Sequence, residues 1–168
     1  MTRYGRDQWI RSVLPHGIDA EGLFDVSAAV NVAVAIHESD FGQSRLAVRW
    51  NNHHGIKAVA QQRRCPDGIH RHFDFPAESY RSCAYLLGES ENFQAARERI
   101  FQFDFSSSSR EEWELHWIEQ VGKMYLLGKQ EEDELTGAET AALADWITDT
   151  SLALCQVWQV QKTMEVEG

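Results

Sequence analysis

The chain has 168 residues, of which 43% are hydrophobic and 11% aromatic, with six Trp and a formal net charge of −10. That is enough apolar material for one domain with a real core, while the acidity speaks against a nucleic-acid surface, which needs clustered Lys and Arg to release phosphate counterions. It also offers no electrostatic reason to cling to anionic walls, and it would suit a basic protein partner.

In chain order, the first residues, Met1-Thr-Arg-Tyr-Gly-Arg-Asp-Gln-Trp9, lack the apolar core of a secretory signal, and no stretch reaches the ~18 apolar residues of a membrane span, so no membrane insertion is expected. A helix near Asp7 to Val13 leads through Pro15-His-Gly17 to a long helix at about 20 to 37. Val26, Ala28, Ala29, Val30, Val32, Ala33, Val34, Ala35 and Ile36 make that helix apolar on nearly every side, which predicts burial. A polar loop follows, then a β-hairpin pairing about Gly55 to Ala60 with Ile69 to Phe73 around Pro66-Asp67-Gly68. Helices are expected at about 77 to 88, at 91 to 102, from the Ser107–Ser109 signal to Leu127, and along a C-terminal face carrying Leu143, Trp146, Ile147, Thr150, Leu154, Val157 and Trp158. No repeat and no linker to a separate module is visible, so residues 1–168 read as one α+β, mostly α, domain. Cys65, Cys83 and Cys155 form no C-x-x-C and leave an odd count, which predicts buried free thiols, although Cys65 and Cys83 could pair after export.

The run Ala35-Ile-His-Glu-Ser-Asp-Phe-Gly-Gln-Ser44, followed by Asn51-Asn-His-His-Gly-Ile-Lys-Ala58, carries the chemistry. Glu38 stands at the end of the buried helix, where apolar walls and Phe41 disfavour its charged form and raise its pKa, as a proton donor near neutral pH requires. Gly42 supplies a turn, and Ser39 or Ser44 can bond the freed backbone or cap the next short helix. These residues resemble the glucosaminidase family of bacterial cell-wall hydrolases, with its pattern A-x-x-E-S-x-x-G-x-S, a short gap, and N-N-x-x-G-I-K-A. A later F-R-x-Y-D-S-like stretch leading to E-S is matched by His70-Arg71-His72-Phe73-Asp74-Phe75-Pro76-Ala77-Glu78-Ser79. The resemblance covers about residues 20 to 90. Lytic transglycosylases share the Glu-Ser pair but continue with a G-L-M-Q-like run, so Asn51-Asn52 and Gly55-Ile56-Lys57-Ala58 favour glucosaminidase.

The resemblance implies a lysozyme-like helical domain with a small β-hairpin lobe and a sugar-binding cleft between them. It implies Glu38 as general acid, and Ser39, Ser44, Trp50, Asn51, Asn52, His54, Arg71 and Phe73 as substrate-binding residues. Two family features are altered. The T-x-E segment with a second acid is here Ala60-Gln-Gln-Arg-Arg-Cys-Pro-Asp-Gly68, whose carboxylate is Asp67, a turn-former as readily as a catalyst. The late Y-A-T-D-P segment is reduced to Val121-Gly-Lys-Met-Tyr125, which retains Tyr125 as a third catalytic candidate.

Plain readings stand beside these. Asn51 and Asn52 serve equally well as backbone ligands, Glu78 and Ser79 as a helix start, and Lys57 as a salt-bridge partner. His53, His54, His70 and His72 lack a Cys or acid at ligand spacing, so no metal and no cofactor is expected. The function implied is cleavage of the β-1,4 bond between N-acetylglucosamine and N-acetylmuramic acid of peptidoglycan glycan strands. Muramidase, lytic transglycosylase and an inactive glycan-binding or assembly module are the alternatives. A hydrolase made without a signal peptide or wall-binding repeats looks like a type VI secretion effector, an antibacterial toxin acting in a rival's periplasm and blocked by a cognate immunity protein. A phage lysin is the second setting.

Overall fold

The computed structural model describes residues 1–91, 94, 107–129 and 133–168. Helix α1 (Arg3–Phe24) starts at Thr2, whose hydroxyl accepts from the Gly5 N–H, and ends where Asp25 turns left-handed at φ 58°. Helix α2 (Ala28–Ser39) starts at Ser27, whose hydroxyl accepts from the Val30 N–H, so a short polar side chain satisfies a donor that the first turn leaves open. The expected break at Pro15–Gly17 is therefore absent, and the second helix begins at Ala28 rather than near residue 20. Pro15 removes one ladder bond, but packing overrides it. Gly17 lies so close to α2 that a Cβ there would come within 3.1 Å of both the Ala28 carbonyl oxygen and Val32 Cγ2. The glycine serves helix-on-helix approach, and the chain reverses at Asp25 instead.

Every residue of α2 from Ala28 to Ile36 is buried. A helix apolar all round needs neighbours on all sides, and α2 has them: α1, α4 (Pro76–Glu89), α5 (Ser107–Leu127) and α6 (Gly137–Glu167) pack around it. Helix α6 opens with a reciprocal cap in which Thr136 accepts from the Glu139 N–H and Glu139 from the Thr136 N–H. It then lays Leu143, Trp146, Thr150, Leu154 and Val157 into the core. The mostly helical, lysozyme-like plan expected from sequence is what the structure shows, while the helix expected over 91–102 lies, but for residues 91 and 94, outside the described residues. No described helix is long and apolar enough to cross a membrane.

The lobe between α3 (Arg45–Trp50) and α4 departs from the expected hairpin. Regular strands are absent among the described residues, and two isolated antiparallel bridges remain, Lys57 with His70 and Arg64 with Arg71. The stretch 69–73 is the middle of three. On one side Arg71 N–H donates to the Ile56 carbonyl and Ala58 N–H to that of Ile69; on the other, His72 N–H donates to Arg63 and Cys65 N–H to His70, all at 2.8–2.9 Å. The cause is a fold-back at Val59–Gln62, with Ala60 left-handed at φ 46°, which returns the chain before a two-stranded ribbon can extend.

Buried polar groups pin this lobe to the helices. His54 is fully buried, and its Nε2 donates to the Asn31 carbonyl oxygen on α2, because a carbonyl can only accept; its Nδ1 therefore accepts from the Ser79 hydroxyl on α4 at 2.7 Å. Ser79 in turn accepts from the His53 N–H, and His53 Nδ1 meets the Tyr80 hydroxyl at 3.0 Å. Burial holds His53 down to about 4 and His54 to about 3. Both values lie below the ~6.5 of a free histidine, so the unfolded chain binds more protons. Their stabilising contribution is complete above pH ~6.5 and is lost as pH falls toward the folded values. The melting temperature is accordingly expected to drop between about pH 6.5 and 4.5, and a flat profile over that interval in calorimetry contradicts this account of the lobe.

Candidate active site

The last turn of α2 is held by an unusual reversal. Asp40, Phe41 and Gly42 are consecutively left-handed, at φ 47°, 56° and 74°. Such backbone is costly for an aspartate and more so for a phenylalanine, and persists where neighbours over-determine it. Here the Ser39 hydroxyl donates to the Ala35 carbonyl and accepts from the Gly42 N–H, while the Ser39 carbonyl accepts from Gln43 and Ser44 N–H at 2.9 Å. The Phe41 ring is met edge-on by Trp9 and covered by the Arg6 guanidinium. Ser39, 1% exposed, is thus a brace for the residue before it.

That residue is Glu38. Its Oε1 accepts from Trp146 Nε1 at 3.3 Å, and its Oε2 faces Gly55 of the lobe, where an added Cβ would stand 3.8 Å away. Gly55 has φ 66°, a conformation glycine adopts without penalty. Burial raises the Glu38 pKa above the ordinary carboxylate value, and the Trp146 hydrogen bond and the neighbouring His37 oppose it less strongly. The C-terminal end of α2, with its partial negative charge, adds to the disfavour of a carboxylate there. Burial raises the pKa of the Tyr125 hydroxyl well above its ordinary value, and Cys83 and then Glu38 add to it. That hydroxyl is shut off from solvent and has no hydrogen-bond partner among the described residues. The arrangement presents a carboxyl that keeps its proton to higher pH than usual, as general acid catalysis requires.

Trp146 was visible in the sequence only as part of the apolar face of α6. An indole N–H seeks a partner when buried, but nothing in the spacing names a carboxyl on α2 as that partner. Its seat depends on Gly122 of α5: a Cβ at Gly122 would come within 2.8 Å of both Leu143 Cδ1 and Trp146 Cε3.

The expected substrate-binding residues divide. Asn52 is buried, its Nδ2 donating to the Ile56 and Arg71 carbonyls and its Oδ1 accepting from the Ile56 N–H. With His54 it is closed to a sugar, so the expected contacts from this pair are corrected to a positioning role. Phe73, 1% exposed, is core, and Ser44 caps α3 through the Ala47 N–H. Asn51 is half-buried and donates to the Phe73 and Asp74 carbonyls. Trp50 and Arg71 are half-buried, Trp50 beneath the Arg45 guanidinium and Arg71 over the Phe73 ring. Asp67 forms the turn: its Oδ1 accepts from the Ile69 and His70 N–H groups and its Oδ2 pairs with His70 Nδ1 at 2.6 Å. These hydrogen bonds bring its pKa down to about 2. Cys65 and Cys83 are buried free thiols.

Residues 14–124 match the model of the Glucosaminidase family, described as mannosyl-glycoprotein endo-beta-N-acetylglucosaminidase. The chain belongs to the glucosaminidase family. No curated protein and no solved structure matches it. The match spans Glu38, the lobe and most of α5, and stops one residue before Tyr125. Trp146, the hydrogen-bond partner of Glu38, comes from beyond it.

A general acid must be protonated, so the rate falls as pH rises through its pKa. Trp146→Phe removes a hydrogen bond that favours the carboxylate, and the alkaline limb of the kcat/KM profile should move to higher pH; a shift to lower pH contradicts the assignment. Because the folded-state pKa of Glu38 is raised, its relative stabilisation is present below about pH 4.5 and is lost as pH rises through the folded value. Glu38→Gln should therefore melt higher than wild type at neutral pH, with the gain shrinking toward pH 4; a lower melting temperature at pH 7 contradicts it.

Proposed function

We propose that residues 1–168 form a single peptidoglycan hydrolase unit that cleaves the β-1,4 bond between N-acetylglucosamine and N-acetylmuramic acid, with Glu38 as general acid. The observation that carries this reading is the half-buried Glu38 carboxyl, raised in pKa by burial and lying inside the segment that matches the glucosaminidase family. Retaining glycosidases place two carboxyls about 5 Å apart and inverting ones about 6.5–9.5 Å, but the Asp67 oxygens are occupied by its turn and by His70. A substrate-assisted course suits that chemistry better. Glu38 protonates the leaving oxygen as the carbonyl oxygen of the 2-acetamido group attacks the anomeric carbon. The resulting Glu38 carboxylate then takes a proton from the water that opens the oxazoline-type intermediate. The Tyr125 hydroxyl is shut off from solvent and has no hydrogen-bond partner among the described residues, so like Asn52 and His54 it is closed to a sugar, and we assign no step to it.

The setting we attach to this activity is antibacterial: an effector that lyses a rival from its periplasm, countered by an immunity protein that covers Glu38. Support for it is the family's chemistry, since a wall glycosidase harms a cell only where it meets the wall. The test is digestion of purified peptidoglycan followed by borohydride reduction and mass spectrometry. Reduced N-acetylglucosamine ends are expected from wild type. Glu38→Gln should lower turnover by about 10²-fold or more, and Asp67→Asn by much less. Reduced or anhydro muramic ends, or equal losses in the two variants, would overturn the reading.

A further inference from the structure

The net charge of −10 averages two unequal parts. Between Asp40 and Asp74 the chain carries six of its sixteen Lys and Arg and one of its 26 acids, leaving ten cations and 25 acids elsewhere. The one acid, Asp67, is spent on its own turn and on His70. Of the cations, Arg63 is paired with Asp74. Arg45, Arg49, Lys57 and Arg64 are exposed and Arg71 is half-buried, and none of the five has a carboxylate within ion-pair distance among the described residues. Arg45 rests on Trp50, Arg71 on Phe73, and Arg64 donates to the Ala58 and Gly68 carbonyls, so three of the heads are held in place without being neutralised. Arg45 and Arg49 lie on α3, and Lys57, Arg64 and Arg71 lie in the lobe that follows it, whose Gly55 stands against Glu38 Oε2.

We propose that α3 and the lobe together form a cationic, anion-binding end of the molecule that takes the carboxylate-bearing peptide side chains of the glycan strand being cut, making the enzyme selective for peptide-bearing over bare glycan. The inference rests on the peptidoglycan reading above. Its physics is orientation by field: an acidic body repels an anionic polymer and a cationic end attracts it, so the strand arrives with its charged branches on that end and its backbone toward the acid. Exposed cations interact weakly one at a time and are screened by salt, so the selectivity is collective and confined to low ionic strength.

The test compares two polymers, intact peptide-bearing sacculi solubilised by sonication and the same strands stripped of peptide by an amidase. Wild type should favour the peptide-bearing polymer by roughly tenfold in kcat/KM at low ionic strength, with the ratio approaching one near 0.5 M salt, where the screening length is only a few Å, about 4. The double variant Arg49→Gln/Lys57→Gln should lower that ratio several-fold; circular dichroism melting checks that it folds. Co-sedimentation of Glu38→Gln with each polymer immobilised on beads reads the same preference without turnover. If wild type cuts neither polymer, the hydrolase reading fails, and the sedimentation preference still decides this one. Equal rates and equal sedimentation on the two polymers overturn the proposal, as does a ratio unchanged in the double variant. Stronger sedimentation with anionic phospholipid vesicles than with sacculi would also overturn it and reassign the face to a membrane.

Discussion

The removal of the Glu38 carboxyl from water is the constraint on which the rest of the structure depends. A carboxyl keeps its proton to higher pH than usual where the charged form is poorly solvated, and each surrounding element contributes to that. Helix α2 is apolar on every face and so is sunk among four other helices, which carries its last turn inward. The left-handed run Asp40–Gly42 ends the helix without letting Glu38 swing out. The lobe closes over Oε2 with a residue that has no side chain, and α6 supplies a single donor to Oε1. One neutral donor tempers the carboxylate's disadvantage; an arginine there would have reversed it.

Residues that look chemical are here largely architectural. His53, His54, Asn52 and Ser79 are polar and sit around the motif, yet their hydrogen bonds run to one another and to backbone, tying the irregular lobe to α2 and α4. A lobe with only isolated bridges has few ladder bonds of its own, so buried side-chain bonds take over the task of fixing it. Such bonds are individually worth about 1 kcal/mol, but leaving one buried partner unmet costs more. The network therefore behaves as a unit, and its neutral histidines make it sensitive to acid.

Local patterns in the sequence carried much of this. A run from Val26 to Ile36 interrupted only by Ser27 and Asn31 is apolar on nearly every side of a helix, which marks it as buried, and Leu143, Trp146, Leu154 and Val157 at helical spacing mark the C-terminal helix. What misled were residues with two uses. Pro15 and Gly17 read as a break because proline and glycine usually are one, whereas here Gly17 is a contact with α2. The resemblance implied Asn52 and His54 as substrate ligands, and of the two uses open to Asn52 in the sequence its hydrogen bonds show the backbone one. The partnership of Trp146 with Glu38 joins residues 108 apart in sequence, and so do the demands that Leu143 and Trp146 make of Gly122; such contacts exist only once the helices are packed.

The central claim is that Glu38 is a desolvated acid held by Trp146, and a carboxyl titration observed directly tests it most closely. With glutamate labelled at the side-chain carboxyl carbon and the signal assigned by its loss in Glu38→Gln, NMR should show Glu38 titrating above the ordinary glutamate value of about 4.3, and higher still in Trp146→Phe. A Glu38 signal titrating at or below that value, unmoved by Trp146→Phe, would contradict the account.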